Sequence, residues 1–204
     1  MTKVKICGLK RPEDILAVNE YLPDFIGFVL AKSKRSVTAK QAKGLKALLK
    51  PEIKAVGVFV DAPQETILSL VYDKTIDFIQ LHGTENASYI QALKAKTTAT
   101  IIKAVRVRSS EDILAASLLP VDYLLLDAYH HTDMGGSGMS FNWRFIPTAI
   151  KPYFLAGGLS VDRISAAIKN HAPYCLDVSS KVETNGYKDI EKIAAFIEAV
   201  RKEN

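Results

Sequence analysis

"VKICGLKRPED", residues 4 to 14, closes a short apolar run with a cysteine and a glycine, then places Pro12 where a helix would begin. This first strand-to-helix turn separates two parallel α/β architectures. A doubly wound open sheet would normally carry a G-x-G-x-x-G fingerprint here, and "CGLKRPED" has none. Apolar runs recur at "FIGFVL" (25–30), "KAVGVFV" (54–60), "FIQLHG" (78–83), "IIKAVRV" (101–107), "YLLLDA" (123–128), "YFLAGG" (153–158) and "CLDVSS" (175–180). With "VKIC" (4–7) they number eight, each nearly continuous, as expected of parallel strands buried on both faces. The segments between are too long for hairpins and repeat apolar residues at helical spacing, as with Ile67, Leu68 and Val71 or Ile164, Ala167 and Ile168. Eight βα units predict a (βα)8 TIM barrel occupying residues 1–204 as a single domain, with the open sheet as runner-up. The helix after "RVRSSED" (106–112) is expected to be short.

A chain of 204 residues, 48% of them hydrophobic, can bury one sizeable core. Its 27 Lys and Arg against 22 Asp and Glu leave a charge of +5, which suits an anionic partner. The basic residues are spread over helix faces and loops, as in "KQAKGLKALLK" (40–50), and form neither a stripe nor an aromatic platform. Nucleic acid is therefore not expected, and a small phosphorylated substrate explains the balance. The two cysteines, Cys7 and Cys175, offer neither a disulfide framework nor a zinc spacing, so a reducing cytoplasm fits. "MTKVKICG" has no signal-like apolar segment and no apolar run reaches the roughly 18 residues of a membrane span, so no membrane association is expected. A monomer and a homodimer fit the sequence equally.

In such a barrel the chemistry sits where the strands end. Reading the polar residues there gives Cys7, Arg35 in "AKSKRS" (31–36), Asp61, Gln80, His82, Arg106, Asp127, Gly157, Gly158, Asp177, Ser179 and Ser180. Alternation puts Asp127 on one face with Leu125, and Asp177 with Cys175 and Ser179, while leaving open which face is inside. Three small-residue clusters, "MGGSGMSF" (134–141), "LAGGLSVDR" (155–163) and "DVSSKVE" (177–183), follow the last three strands. Such loops bind phosphate, because glycine lets backbone N–H groups approach oxygen and a helix N-terminus adds favourable polarity. Each residue also has a plainer reading. Cys7 alone would be a small buried hydrophobe, Asp127 a helix cap, Arg35 a solvated charge and His82 a loop-orienting group. His130 and His131 in "YHHTD" (129–133) are adjacent and cannot both face one ion from a regular element, so no metal is expected.

Taken in order, "KICGL" (5–9), "GFVLAKSKR" (27–35), "VGVFV" (56–60), "QLHG" (80–83), "LLLDA" (124–128), "GGSG" (135–138), "AGGL" (156–159) and "DVSSKVE" (177–183) resemble the phosphoribosylanthranilate isomerase family of tryptophan biosynthesis. The resemblance implies a cofactor-free (βα)8 barrel that carries out an Amadori rearrangement of a phosphoribosyl anthranilate. It implies Cys7 as general base, Asp127 as general acid and Arg35 as the contact to the anthranilate carboxylate. It further implies a phosphate site built from Gly136, Ser137, Gly138, Gly157, Gly158, Ser179 and Ser180. Beside these, Lys5, Gln80, His82, Asp177 and Lys181 are candidates for supporting roles in the site. Two departures stand out: "AKSKR" lacks the proline often found in that loop, and Lys181 replaces the glycine of the family's common DVSSGVE. Lysine there adds a cation near the phosphate, and a positive φ at that position would strain it.

The chemistry makes opposed demands. A carboxyl group that ordinarily titrates near pKa 3.9 must keep its proton to open a furanose ring, a lift of about three units. A thiol near 8.5 must lose its proton to abstract one from C2 of the sugar, which a neighbouring cation such as Lys5 would favour. Two other enzyme and binding readings compete. Indole-glycerol-phosphate synthase chemistry calls for a catalytic lysine at the strand ends and usually an N-terminal extension, whereas strand 1 starts at residue 4 here. A non-catalytic phosphosugar sensor would not need both Cys7 and Asp127.

Overall fold

The computed structural model describes residues 1–128 and 141–204. Eight parallel strands, β1 (Lys3–Cys7), β2 (Phe25–Val29), β3 (Lys54–Phe59), β4 (Phe78–Leu81), β5 (Thr100–Val107), β6 (Tyr123–Ala128), β7 (Tyr153–Leu155) and β8 (Cys175–Val178), form a closed barrel in sequence order. Closure is made by β8 pairing with β1, Asp177 lying opposite Lys5, and it removes the open-sheet alternative. Helices α1 (Pro12–Tyr21), α2 (Ala39–Leu48), α3 (Gln64–Tyr72), α4 (Ala87–Lys94), α5 (Ser110–Ser117), α6 (Ile164–His171) and α7 (Ile190–Lys202) fill the crossovers. The expected helix after β6 is replaced, among the described residues, by a 3-10 turn at Trp143–Phe145. As expected, α5 is short, at eight residues.

Local chemistry accounts for the helix starts. Pro12 stands at the first position of α1, and the Asp14 carboxylate accepts from the backbone N–H of Lys10 and Arg11 and from the Arg11 guanidinium. Thr38 and Gln41 close a reciprocal capping box on α2, and Asp189 accepts from the N–H groups of Glu191 and Lys192 to start α7.

The alternation left open by sequence resolves into two apolar layers. Outward-facing Ile6, Ile26, Leu124 and Leu126 pack with helix residues such as Ile15, Ile193 and Phe196. Inside the barrel lies a separate cluster of Phe25, Val56, Ile102, Leu125, Phe154 and Cys175. Rings pack edge-on or tilted at its lower end, Phe25 with Phe78 at 5.2 Å, Phe25 with Phe154 at 5.5 Å and Tyr123 with Tyr174 at 4.6 Å between centroids. This aromatic floor closes the N-terminal end of the barrel. The parity of β1 and β8 consequently turns Lys5, Cys7, Asp177 and Ser179 inward.

One element was absent from the sequence reading. Strands β9 (Glu183–Thr184) and β10 (Tyr187–Lys188) form an antiparallel hairpin around Asn185 and Gly186, which have φ of 52° and 78°. That is the Asn-Gly turn chemistry whose twist suits a tight hairpin.

Candidate active site

A cavity of about 990 Å³, its open mouth included, occupies the C-terminal end of the barrel. Cys7, Arg35, Gln80, His82, Asp127, Gly157, Gly158, Asp177, Ser179, Ser180 and Lys181 all line it. The structure thus gathers residues from strand ends 1, 2, 4, 6, 7 and 8 around one space, as the strand-end rule anticipates. Gly136, Ser137, Gly138, His130 and His131 lie outside the described residues. Asp61 turns away to the β4 side, where its carboxylate accepts from the N–H and hydroxyl of Thr84. Among the described residues no group of three or more His, Cys, Asp or Glu is placed to hold a metal ion.

The β1–β8 side is built on a buried charge pair. Lys5, with no solvent exposure, donates to both carboxylate oxygens of Asp177 at 3.1 and 3.0 Å. Burial works against its charge, but the carboxylate and the neighbouring Cys7 more than compensate and raise its pKa, so it stays an ammonium. Gly27 makes the close approach possible: a Cβ there would stand 2.7 Å from Cys7 Sγ and 3.2 Å from Lys5 Nζ. Burial pushes the Cys7 thiol above its ordinary range, while Lys5 and Lys188 pull it down. Desolvation wins, so the cation beside Cys7 limits the rise without reversing it.

Arg35 enters from the loop after β2 and is gripped by Glu183, whose two oxygens accept from Nε at 2.6 Å and Nη2 at 2.8 Å. The same carboxylate accepts from buried Lys188 at 2.6 Å, and Lys188 also donates to the Ser179 carbonyl at 3.0 Å. Burial would raise the Glu183 pKa, but the hydrogen bonds from Arg35 and Lys188 bring it down to about 2. Ser179 in turn donates from its hydroxyl to the Cys7 carbonyl at 2.9 Å. The hairpin that carries Lys188 therefore anchors both the arginine and the backbone behind Cys7. Glu183 closes the "DVSSKVE" motif yet drew no role from sequence, because its partner lies 148 positions away.

Across the cavity, Asp127 projects from the end of β6 and its Oδ1 accepts from the Ala128 N–H at 2.8 Å. Gly157, at φ 76°, passes so close that a Cβ would meet Asp127 Oδ1 at 2.8 Å, and Gly158 follows at φ 65°. Lys181 sits in a 3-10 turn, Ser180–Val182, and is absent from the non-glycine residues at positive φ, so the strain considered for it does not arise. Gln80 Nε2 approaches His82 Nδ1 at 3.1 Å, and His82 Nε2 faces Asp127 Oδ2 at 3.9 Å. Burial, with Arg106, Lys103 and Lys5, lowers the His82 pKa to about 4 and keeps the ring neutral. Arg106 also lines the cavity, a strand-end residue to which the sequence assigned no task.

The family model for N-(5'-phosphoribosyl)anthranilate isomerase matches residues 4–199. The chain belongs to this isomerase family of tryptophan biosynthesis. It is similar to the N-(5'-phosphoribosyl)anthranilate isomerase of Endomicrobium trichonymphae, 45% identical over 201 residues that cover 98% of this chain and 99% of that one. Among solved structures it resembles the phosphoribosyl anthranilate isomerase of Thermotoga maritima, with a TM-score of 0.89 at 32% identity, covering 99% of this chain and all of the other. Another solved isomerase of the family, in complex with reduced 1-(o-carboxyphenylamino)-1-deoxyribulose 5-phosphate, gives a TM-score of 0.83 at 31% identity over 99% of this chain and 100% of that one. Among the described residues no helix is long and apolar enough to cross a membrane.

Proposed function

We propose that this isomerase converts N-(5-phosphoribosyl)anthranilate into 1-(o-carboxyphenylamino)-1-deoxyribulose 5-phosphate, with Asp127 as general acid and Cys7 as general base. The observation that carries the reading is that these two groups line one cavity from strand ends set three strands apart around the barrel, β1 and β6, with Gly157, Gly158, Ser179 and Ser180 lining the same space. The related isomerase solved with the reduced product analogue supports the substrate class. Asp127 gives its proton to the ring oxygen as the bond from that oxygen to C1 breaks, leaving a protonated imine. The Cys7 thiolate then takes the proton from C2, the electron pair neutralises the imine nitrogen, and the resulting enol-amine becomes the ketose.

The surrounding charges fit this division. Lys5, fixed by Asp177, lies beside the thiol and favours its ionised form. Arg35 commits Nε and one Nη2 hydrogen to Glu183, which leaves its other donors for the anthranilate carboxylate. Gly157, Gly158, Ser179, Ser180 and Lys181 supply backbone, hydroxyl and cationic groups to the phosphate; the family resemblance adds Gly136, Ser137 and Gly138, which lie outside the described residues.

Incubating the protein with phosphoribosylanthranilate while following substrate fluorescence tests the activity, and a constant signal overturns it. Cys7→Ala and Asp127→Asn are each expected to lower turnover by about 10³-fold while circular dichroism shows an intact fold. Near-normal turnover in either variant removes that residue from the mechanism.

A further inference from the structure

Gln80 is a costly residue to bury where it is. It is 1% exposed, lines the cavity, and its Oε1 has no hydrogen-bond partner among the described residues. A leucine or methionine would fill the same space without an orphaned amide oxygen. The compensating contact is the amide nitrogen, 3.1 Å from His82 Nδ1. An amide nitrogen can only donate, so Nδ1 must accept, and a neutral ring that accepts at Nδ1 carries its hydrogen at Nε2. Turning the amide over would leave both its N–H donors without a partner among the described residues, where the orientation seen leaves one N–H and the oxygen, and orphaned N–H groups are the rarer and less tolerated arrangement in protein interiors. The Nε2–H so fixed faces Asp127 Oδ2 at 3.9 Å.

We propose that Gln80 and His82 are positioning residues for the general acid: Gln80 locks His82 as the Nε2–H tautomer, and that N–H receives the charge which forms on Asp127 as it gives up its proton. The proposal rests on Asp127 being the acid, as argued above. At 3.9 Å the ring N–H gives little to the protonated carboxyl group, and a small contraction makes it a hydrogen bond to the carboxylate. The interaction therefore grows along the reaction coordinate, the condition for lowering a barrier and not merely binding substrate. A neutral ring suits this task better than a charged one, since an imidazolium would hold Asp127 ionised from the start. Burial and the nearby Arg106, Lys103 and Lys5 keep it neutral. No proton moves to or from His82 in this scheme; it orients and stabilises.

Two-bond 1H–15N correlation spectra of the 15N-histidine-labelled protein near neutral pH read the tautomer without any substrate. The expected pattern for His82 is a protonated Nε2 and an unprotonated Nδ1; the reverse overturns the proposal. Gln80→Glu supplies an acceptor at Nδ1 and is expected to invert the tautomer, lowering kcat by about tenfold or more while KM stays within about threefold. An inverted tautomer with unchanged kcat, or no inversion, overturns it. His82→Gln and His82→Leu give an independent arm should that variant fail to fold: the amide, which keeps an N–H, is expected to retain about tenfold more kcat than the leucine. Equal kcat values for the two overturn it. Asp127→Asn measured alongside separates the two ideas, because its retained turnover would remove Asp127 as the acid while leaving the spectroscopic result untouched.

Discussion

Lys103–Glu85 and Lys5–Asp177 are both buried lysine–carboxylate pairs at the active end of the barrel, and they differ in where their remaining valences go. Lys103 donates to the Leu81 carbonyl at 3.4 Å, the Gly83 carbonyl at 2.7 Å and Glu85 at 2.8 Å, so all three of its hydrogens are spent on the loop after β4. Glu85 is equally occupied, accepting from the N–H of Asp61 at 2.9 Å and of Gly83 at 3.0 Å. Lys5 spends two hydrogens on Asp177 and brings the rest of its field to Cys7, and both Cys7 and Asp177 line the cavity. The same two residue types thus make a sealed clamp in one place and a poised charge in the other. What decides is not burial, nearly complete for both lysines, but whether a pair is saturated by backbone.

Lys5→Met should break the poised pair with the largest effect. Removing the charge that restrains the Cys7 pKa is expected to cost about 10²-fold in kcat/KM at neutral pH. The sign of the pH effect follows from the base being the ionised thiol: a further rise in its pKa moves the ascending limb of the pH profile to higher pH, and a limb that stays in place counts against Lys5. The double change Lys5→Met with Asp177→Asn should recover stability, since no buried charge is left unpaired, without recovering turnover. Lys103→Met addresses the sealed pair. It is expected to lower unfolding free energy in urea by about 3–5 kcal/mol, because Glu85 is left buried and uncompensated, while kcat stays within about threefold. A loss of turnover as large as that of the Lys5 variant would erase the distinction.

The smallest expected effect joins the two pairs through His82. Its folded pKa of about 4 lies below its ordinary 6.5, so the unfolded chain binds a proton before the folded one does. Stability therefore falls as pH drops through the window from 6.5 to about 4. After burial and Arg106, Lys103 depresses this pKa more than Lys5 does. Imidazole titration by NMR should show a larger upward shift in Lys103→Met than in Lys5→Met, with the acid-sensitive window narrowed in the same order. The opposite order would mean that the sealed pair is screened from the cavity.

The eight strands were legible because a parallel strand covered on both faces has to be an apolar run, and most side chains at their ends were legible because the fold gives those positions one address, Asp61 being the one that turns away among the described residues. Lys103 was not, since in "IIKAVRV" it reads only as an interruption; the loop carbonyls that saturate it come from a different strand end. The grip of Glu183 on Arg35 was hidden for a similar reason, being a contact between loops that only barrel closure brings together. The hairpin from Glu183 to Lys188 was available in "ETNGYK", where Asn185–Gly186 is a turn signal, but its strands of two residues are too short to show alternation. The tautomer of His82 depends on which end of an amide faces it, which no sequence pattern encodes.

The aromatic floor has a kinetic consequence. With Phe25, Phe78, Tyr123, Phe154 and Tyr174 packed across its lower end, the barrel formed by the described residues is closed below and open above, a well and not a channel. Whatever binds between Cys7 and Asp127 leaves by the upper end, so product has to vacate the well before the next substrate reaches its floor, and because both occupy the same site product inhibition should be competitive.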